Sequence, residues 1–194
     1  MEDKDLTKPR STTEVVLHMR SITDTCDVGE IFKQAVEYGD LSLFGSHHHT
    51  LVTAVLLTAY RNAGAEFDYD LAIAEGMLRG QNAPLGACGY FGVCGAAMGA
   101  GVFLSIITET NPMTTGKQYV RPMELVRRCL GEMVQFEGPR CCKRSSFIVL
   151  EATCDYVIKE FGVPVECTSL ACAYSAENPD CLFSDCPYFA PRRR

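Results

Sequence analysis

A single all-α domain of about seven helices, followed by an irregular cysteine-rich extension, is the fold this sequence predicts. Three observations carry that reading. Apolar residues recur at three- and four-residue spacing along most of the chain, bracketed by capping residues and glycines. No stretch of useful length alternates apolar and polar residues as a half-buried strand would, and no internal repeat is visible. The 194 residues, 47% hydrophobic and 22% charged, have the size and composition of one globular domain that buries its own core. The expected division is a frayed or disordered tail over 1–11, a helical core over 12–162 and a cysteine-containing extension packed on that core over 163–194.

Each helix has its own signals. "TTEVVLHMRSI" opens with Thr12 and Thr13 as candidate caps and places Val15, Val16, Met19 and Ile22 at helical spacing. Asp27 and Glu30 stand three apart before "IFKQAVEYG", a capping-box arrangement with Gly39 at the far end. "HHTLVTAVLLTAYRNAG" is the most apolar ordinary helix and stops at Gly64. Asp68 or Asp70 caps "YDLAIAEGMLRG", which Gly80 ends; as caps, these acids are not acid/base machinery. A Gly/Cys-rich segment runs on to Asn111-Pro112. Pro122 suits the first turn of "PMELVRRCLGEMVQF". Ser145 or Ser146 caps "SFIVLEATCDYVIKEFG", closed by Gly162, and after Pro164 the chain turns irregular.

Charge and cysteine usage narrow the function. A net charge of −6 argues against nucleic-acid binding, which wants a basic face; Arg192-Arg193-Arg194 reads as a short solvated tail. The charged start "MEDKDLTKPRSTTE" has no apolar core of a signal peptide, so a cytoplasmic protein is expected. Asn82 to Thr108 is uncharged and long enough for a bilayer, but its glycines, Asn82 and Pro84 dilute the hydrophobicity. No basic flank marks an inside end, so a buried helix is expected there rather than a membrane span. Eleven cysteines, an odd number without an export signal, do not make a disulfide scaffold. Metal, cluster or thiol chemistry stands against the plainer reading of small core hydrophobes. Cys26, Cys129, Cys154, Cys167 and Cys172 are assigned mainly to the core, with Cys167 and Cys172 the exceptions to watch because they lie in the irregular extension.

Four places carry the chemistry. "GACGYFGVCGAAMGAG" has six glycines in sixteen residues. Gly86, Gly89, Gly92 and Gly95 recur every third residue, making a bare face that another backbone or a bulky inorganic group can approach. Cys88 and Cys94 would point about 120° apart on a regular helix, so joint ligation needs a break, which Gly89 and Gly92 permit. "GPRCCKRSS" sets Cys141 and Cys142 just before a helix N-terminus among Arg140, Lys143 and Arg144, where a depressed thiol pKa is expected. "NPDCLFSDCPYF" offers Cys181 and Cys186 on irregular backbone, with a proline after the second as in ferredoxin-type runs. "GSHHHT" places His47, His48 and His49 at a helix start, where one of them caps or lines a pocket. No phosphate loop, Ser/His/Asp signature or HExxH motif is present.

Together these stretches resemble a family of unknown function, domain of unknown function family 5714, found in methanogenic archaea and strictly anaerobic bacteria. The likeness runs from about residue 26 to residue 189. It implies that His48, His49, Cys88, Cys94, Cys141, Cys142, Cys181 and Cys186 occupy motif positions. Some relatives are fused to methyltransferase domains, and longer ones begin with a Cys-x-x-Cys region. Neither feature has a counterpart here, and no nucleotide-binding βαβ unit is visible.

Three functions follow as expectations. The first is an iron–sulfur protein of anaerobic metabolism, with a redox, sulfur-transfer or cofactor-assembly role. Its ligands would come from Cys88, Cys94, Cys141 or Cys142, and Cys181 or Cys186, with space from Gly89, Gly92 and Gly95 and positive charge from Arg140, Lys143 and Arg144. The second is a metal-free thiol or persulfide enzyme using Cys141 or Cys142, activated by the helix terminus and basic neighbours such as Lys143, with a second cysteine to resolve it and His49 as acid or base. The third is a structural zinc module that docks onto a redox or methyltransferase partner.

Overall fold

The computed structural model describes residues 9–190. It contains eight α-helices: α1 Thr12–His18, α2 Val28–Gly39, α3 His47–Asn62, α4 Tyr69–Gln81, α5 Ala87–Tyr90, α6 Gly95–Ile107, α7 Gly116–Met133 and α8 Cys142–Phe161. Short 3-10 turns cover Met19–Ser21 and Phe183–Asp185. Among the described residues there is no β-strand, only isolated bridges pairing Asp27 with Glu166 and Cys172 with Phe189. No helix among them is long and apolar enough to cross a membrane. Most of the tail expected over 1–11, and the last four residues of the extension, lie outside the described residues.

Helix α3 is the centre of the bundle. Every residue from Thr50 to Ala59 is buried, as an apolar helix surrounded by others must be. It packs on α2, α4, α6 and α8. The small residues of α6 allow its close crossing with α3. A Cβ on Gly99 would stand 2.5 Å from the His49 carbonyl oxygen, and Thr53 Oγ1 donates to the Gly99 carbonyl at 2.9 Å. Gly95 faces the His49 ring, and Gly101 faces Val126 of α7.

Several helix ends differ from their sequence signals. Ser11, not Thr12 or Thr13, caps α1 in a full capping box with Glu14. Asp27 caps α2 through the Gly29 and Glu30 N–H groups, and Asp40 rather than Gly39 takes the left-handed end position. Asp68 caps α4. Pro122 lies well inside α7, whose first turn begins at Gly116. A proline there leaves the carbonyl four residues back without its N–H, and Thr110 Oγ1 reaches that Gln118 oxygen at 3.4 Å.

The extension after Phe161 is tied to the core at both ends. Near its start, the Asp27 carboxylate accepts from Thr168 N at 2.7 Å, Thr168 Oγ1 at 2.6 Å, Ser169 N at 3.2 Å and the Ser169 hydroxyl. Val28 N donates to Glu166 O at 2.9 Å, and Glu166 N donates to Cys26 O at 3.1 Å. Near its end, Tyr188 packs on Phe147 and donates to Glu151 at 2.6 Å.

Candidate functional site

The first turn of α8 organises the chemistry. Cys141, not Ser145 or Ser146, is the N-cap: its backbone is extended and its sulfur accepts from Arg144 N at 3.4 Å. A sulfur here does what a hydroxyl or carboxylate oxygen does at most helix starts. Asn178 Nδ2 approaches the same sulfur at 3.8 Å. Ser146 is buried one turn in and donates to the Cys142 carbonyl at 2.8 Å.

Three cysteines of the extension repeat one local device, a Cys-x-aromatic step in which the aromatic residue's backbone N–H serves the sulfur two residues back. Phe183 N donates to Cys181 Sγ at 3.3 Å. The Tyr174 N–H favours the Cys172 thiolate, and the Tyr188 N–H favours that of Cys186. Cys172 N donates to Tyr188 O at 2.7 Å, which sets the two segments side by side. Burial raises the Cys172 and Cys186 thiol pKa values. Cys172 is raised further by Cys141, Cys186 and Cys181, and Cys186 by Cys141 and Cys181, while Arg144 counteracts this at Cys186. Four thiols from three separate segments therefore share one neighbourhood.

Lys143 sits against this group. It is 1% exposed, and its Nζ has no hydrogen-bond partner among the described residues. The ammonium lies 4.7 Å from the centre of the Tyr174 ring and 5.5 Å from that of Phe32. Burial lowers its pKa to about 8, opposed by the Cys172, Cys141 and Cys142 thiols and by Glu177. Arg144 bonds the Pro139 carbonyl at 2.7 Å and covers the Phe136 ring, while Arg140 covers Phe44.

The neighbouring thiol of Cys142 points elsewhere, to the Gly45 backbone N–H and toward Cys94. Burial pushes its pKa up, with Gly45 and Arg140 in opposition. That is opposite to the depressed value expected from helix terminus and basic neighbours: desolvation wins over the dipole. Cys94 is half-buried as the N-cap residue of α6, and Cys88 is exposed on α5. The break that joint ligation would need does exist, at Gly92 with φ +68°, but it leaves Cys88 outside the four-thiol group. Gly89 faces open space and Gly95 faces a ring, so these glycines make a turn and a crossing.

The histidines split in the same way. His48 is buried, with its Nε2 unpartnered and its pKa driven well down by burial and then by Lys143. His49 lies over Gly95, on the Cys94 side, with Nδ1 unpartnered. Among the described residues no three His, Cys, Asp or Glu side chains are close enough to share a single ion. Cys129 and Cys154 are buried in the core, as assigned from sequence. Cys172 is one of the two exceptions the sequence marks among its core cysteines, whereas Tyr174 and Asn178 carry no sequence signal of their own: the Cys-x-aromatic step occurs five times in the chain, also at Cys88 and Cys154.

No curated protein and no solved structure matches the chain. A model described as a family of unknown function (DUF5714) matches residues 16–189. This cysteine-rich helical chain belongs to the DUF5714 family.

Proposed function

We propose that the protein binds an iron–sulfur cluster through Cys141, Cys172, Cys181 and Cys186, and serves redox, sulfur-transfer or cofactor-assembly chemistry. The observation that carries this reading is the four-thiol group with an N–H donor at every sulfur, set against a buried ammonium that has no partner. Backbone N–H groups aimed at sulfur stabilise the thiolate, the form that ligates metal. Burying Lys143 beside neutral thiols leaves its charge offset only by the Glu177 carboxylate, which makes no hydrogen bond to it, at a cost of several kcal/mol; beside metal-bound thiolates it becomes the counter-charge. The donor set is soft and sheltered, as a cluster requires.

A soft thiolate set suits an iron–sulfur cluster and a single zinc ion alike, and metal analysis separates the two. When bound, the cluster supplies one-electron transfer or labile sulfide. The chain's own part is to hold the thiolates, with Tyr174 beside Cys172, and to offset their charge with Lys143, Arg144 and the start of α8. An electron-transfer or methyltransferase partner belongs to the same proposal.

Anaerobic isolation followed by iron, zinc and acid-labile sulfide analysis tests it. Iron and sulfide in stoichiometric amounts, with visible charge-transfer absorption, are the expected result. Zinc alone would turn the site into a structural module. A protein that takes up neither metal after reconstitution would leave thiol chemistry at Cys141 in its place.

A further inference from the structure

We infer that Cys154 and Cys167 form a dithiol/disulfide couple that fastens the extension to α8, separate from the four thiols at the start of that helix. Cys154 lies twelve residues beyond the first residue of α8, roughly 18 Å along its axis. The inference does not rest on the cluster reading.

Cys154 is 1% exposed on the inner face of α8, and Cys167 is half-buried against the same core. The Cys154 thiol donates to the Glu166 carbonyl at 3.9 Å, which sets it beside the next residue, Cys167, whose thiol is the first cause of the raised Cys154 pKa. The backbone that presents Cys167 is pinned on both sides. Before it, Glu166 is held through Val28 N and Cys26 O; after it, Thr168 and Ser169 are held by the Asp27 carboxylate. A thiol lodged against the peptide that leads into Cys167, on segments that are independently fixed, is placed to pair with the Cys167 thiol. Cys26, the other thiol nearby, is turned to the Pro164 carbonyl at 3.8 Å.

Exposure sets the order of steps. The Cys167 thiolate attacks a low-molecular-weight disulfide, R–S–S–R, forming a Cys167–S–S–R bond and releasing R–S⁻. Cys154 then gives up its proton and attacks the Cys167 sulfur, releasing the second R–S⁻. Two thiols and one R–S–S–R become one protein disulfide and two R–SH, with the reagent as oxidant. The bond closes a short loop and fixes the root of the segment that carries Cys172, Cys181 and Cys186.

The test uses the full chain incubated with glutathione disulfide or with reduced glutathione, then denatured, alkylated and mapped as peptides without reduction. A Cys154–Cys167 linked peptide after oxidation is expected, together with a rise in Tm of several degrees that Cys167→Ser abolishes. Mapping the unsubstituted chain is decisive even where the variant folds poorly. Recovery of Cys154 and Cys167 both alkylated after oxidation would overturn the inference, as would linkage of either to another cysteine.

Discussion

Lys143 is the residue whose burial is hardest to understand from its direct contacts. Its ammonium has two aromatic faces and three thiols, Cys141, Cys142 and Cys172, around it, feels the Glu177 carboxylate, and has no hydrogen-bond acceptor among the described residues. In metal-free protein, Lys143→Met replaces a buried charge by an apolar chain of similar volume and should stabilise the fold by about 1–3 kcal/mol in urea denaturation. In iron-loaded protein the same change should speed metal loss to a chelator on the order of 10-fold, because the counter-charge is gone. Opposite signs in the two forms are expected. A loss of stability in both would show that Lys143 only packs. Asp27 works by the reverse logic. Burial would raise its pKa, but hydrogen bonds from Ser169, Thr168 and the Glu30 N–H outweigh that and hold it at about 2. A depressed carboxyl pKa contributes stability above the ordinary value near 3.8 and loses it as pH falls through about 2. The stability difference between the native chain and Asp27→Asn should therefore shrink steadily from pH 4 to pH 2 in chemical denaturation.

Among the elements, the α3–α6 crossing and the α8 start divide the glycine- and cysteine-rich motifs between packing and chemistry. Gly99 has backbone, not a mobile side-chain end, where a Cβ would go. Gly99→Ala should cost about 1–3 kcal/mol by thermal unfolding, whereas Gly89→Ala, which meets open space, should stay within about 0.5 kcal/mol. A cofactor seated on the glycine face would give the opposite ranking for metal content. The helices themselves were legible because their apolar spacing and caps are local. The start of α8 was misjudged because Ser145 and Ser146 are ordinary caps and a cysteine is not. Pro122 was misplaced because Thr110, distant in the reading of that helix, serves the carbonyl that the proline leaves free. Cys172 stands out in the sequence only by lying in the irregular extension, because its place is fixed by Tyr188 and Phe189, a pairing across irregular backbone that has no periodic signature.

At the scale of the whole molecule, a helical bundle built on α3 presents the N-terminus of α8 to an extension that folds back over it. The core supplies one thiol, the positive charge and the shelter; the extension supplies three thiols. The proposed four-thiol centre includes Cys172 and leaves out Cys88, which is exposed on α5. The most direct test is iron and acid-labile sulfide content in anaerobically reconstituted Cys172→Ser and Cys88→Ser proteins, with helical content checked by circular dichroism. Loss of iron and sulfide in Cys172→Ser, with native content in Cys88→Ser and both variants folded, is the predicted result. Native content in Cys172→Ser with loss in Cys88→Ser would contradict the four-thiol centre.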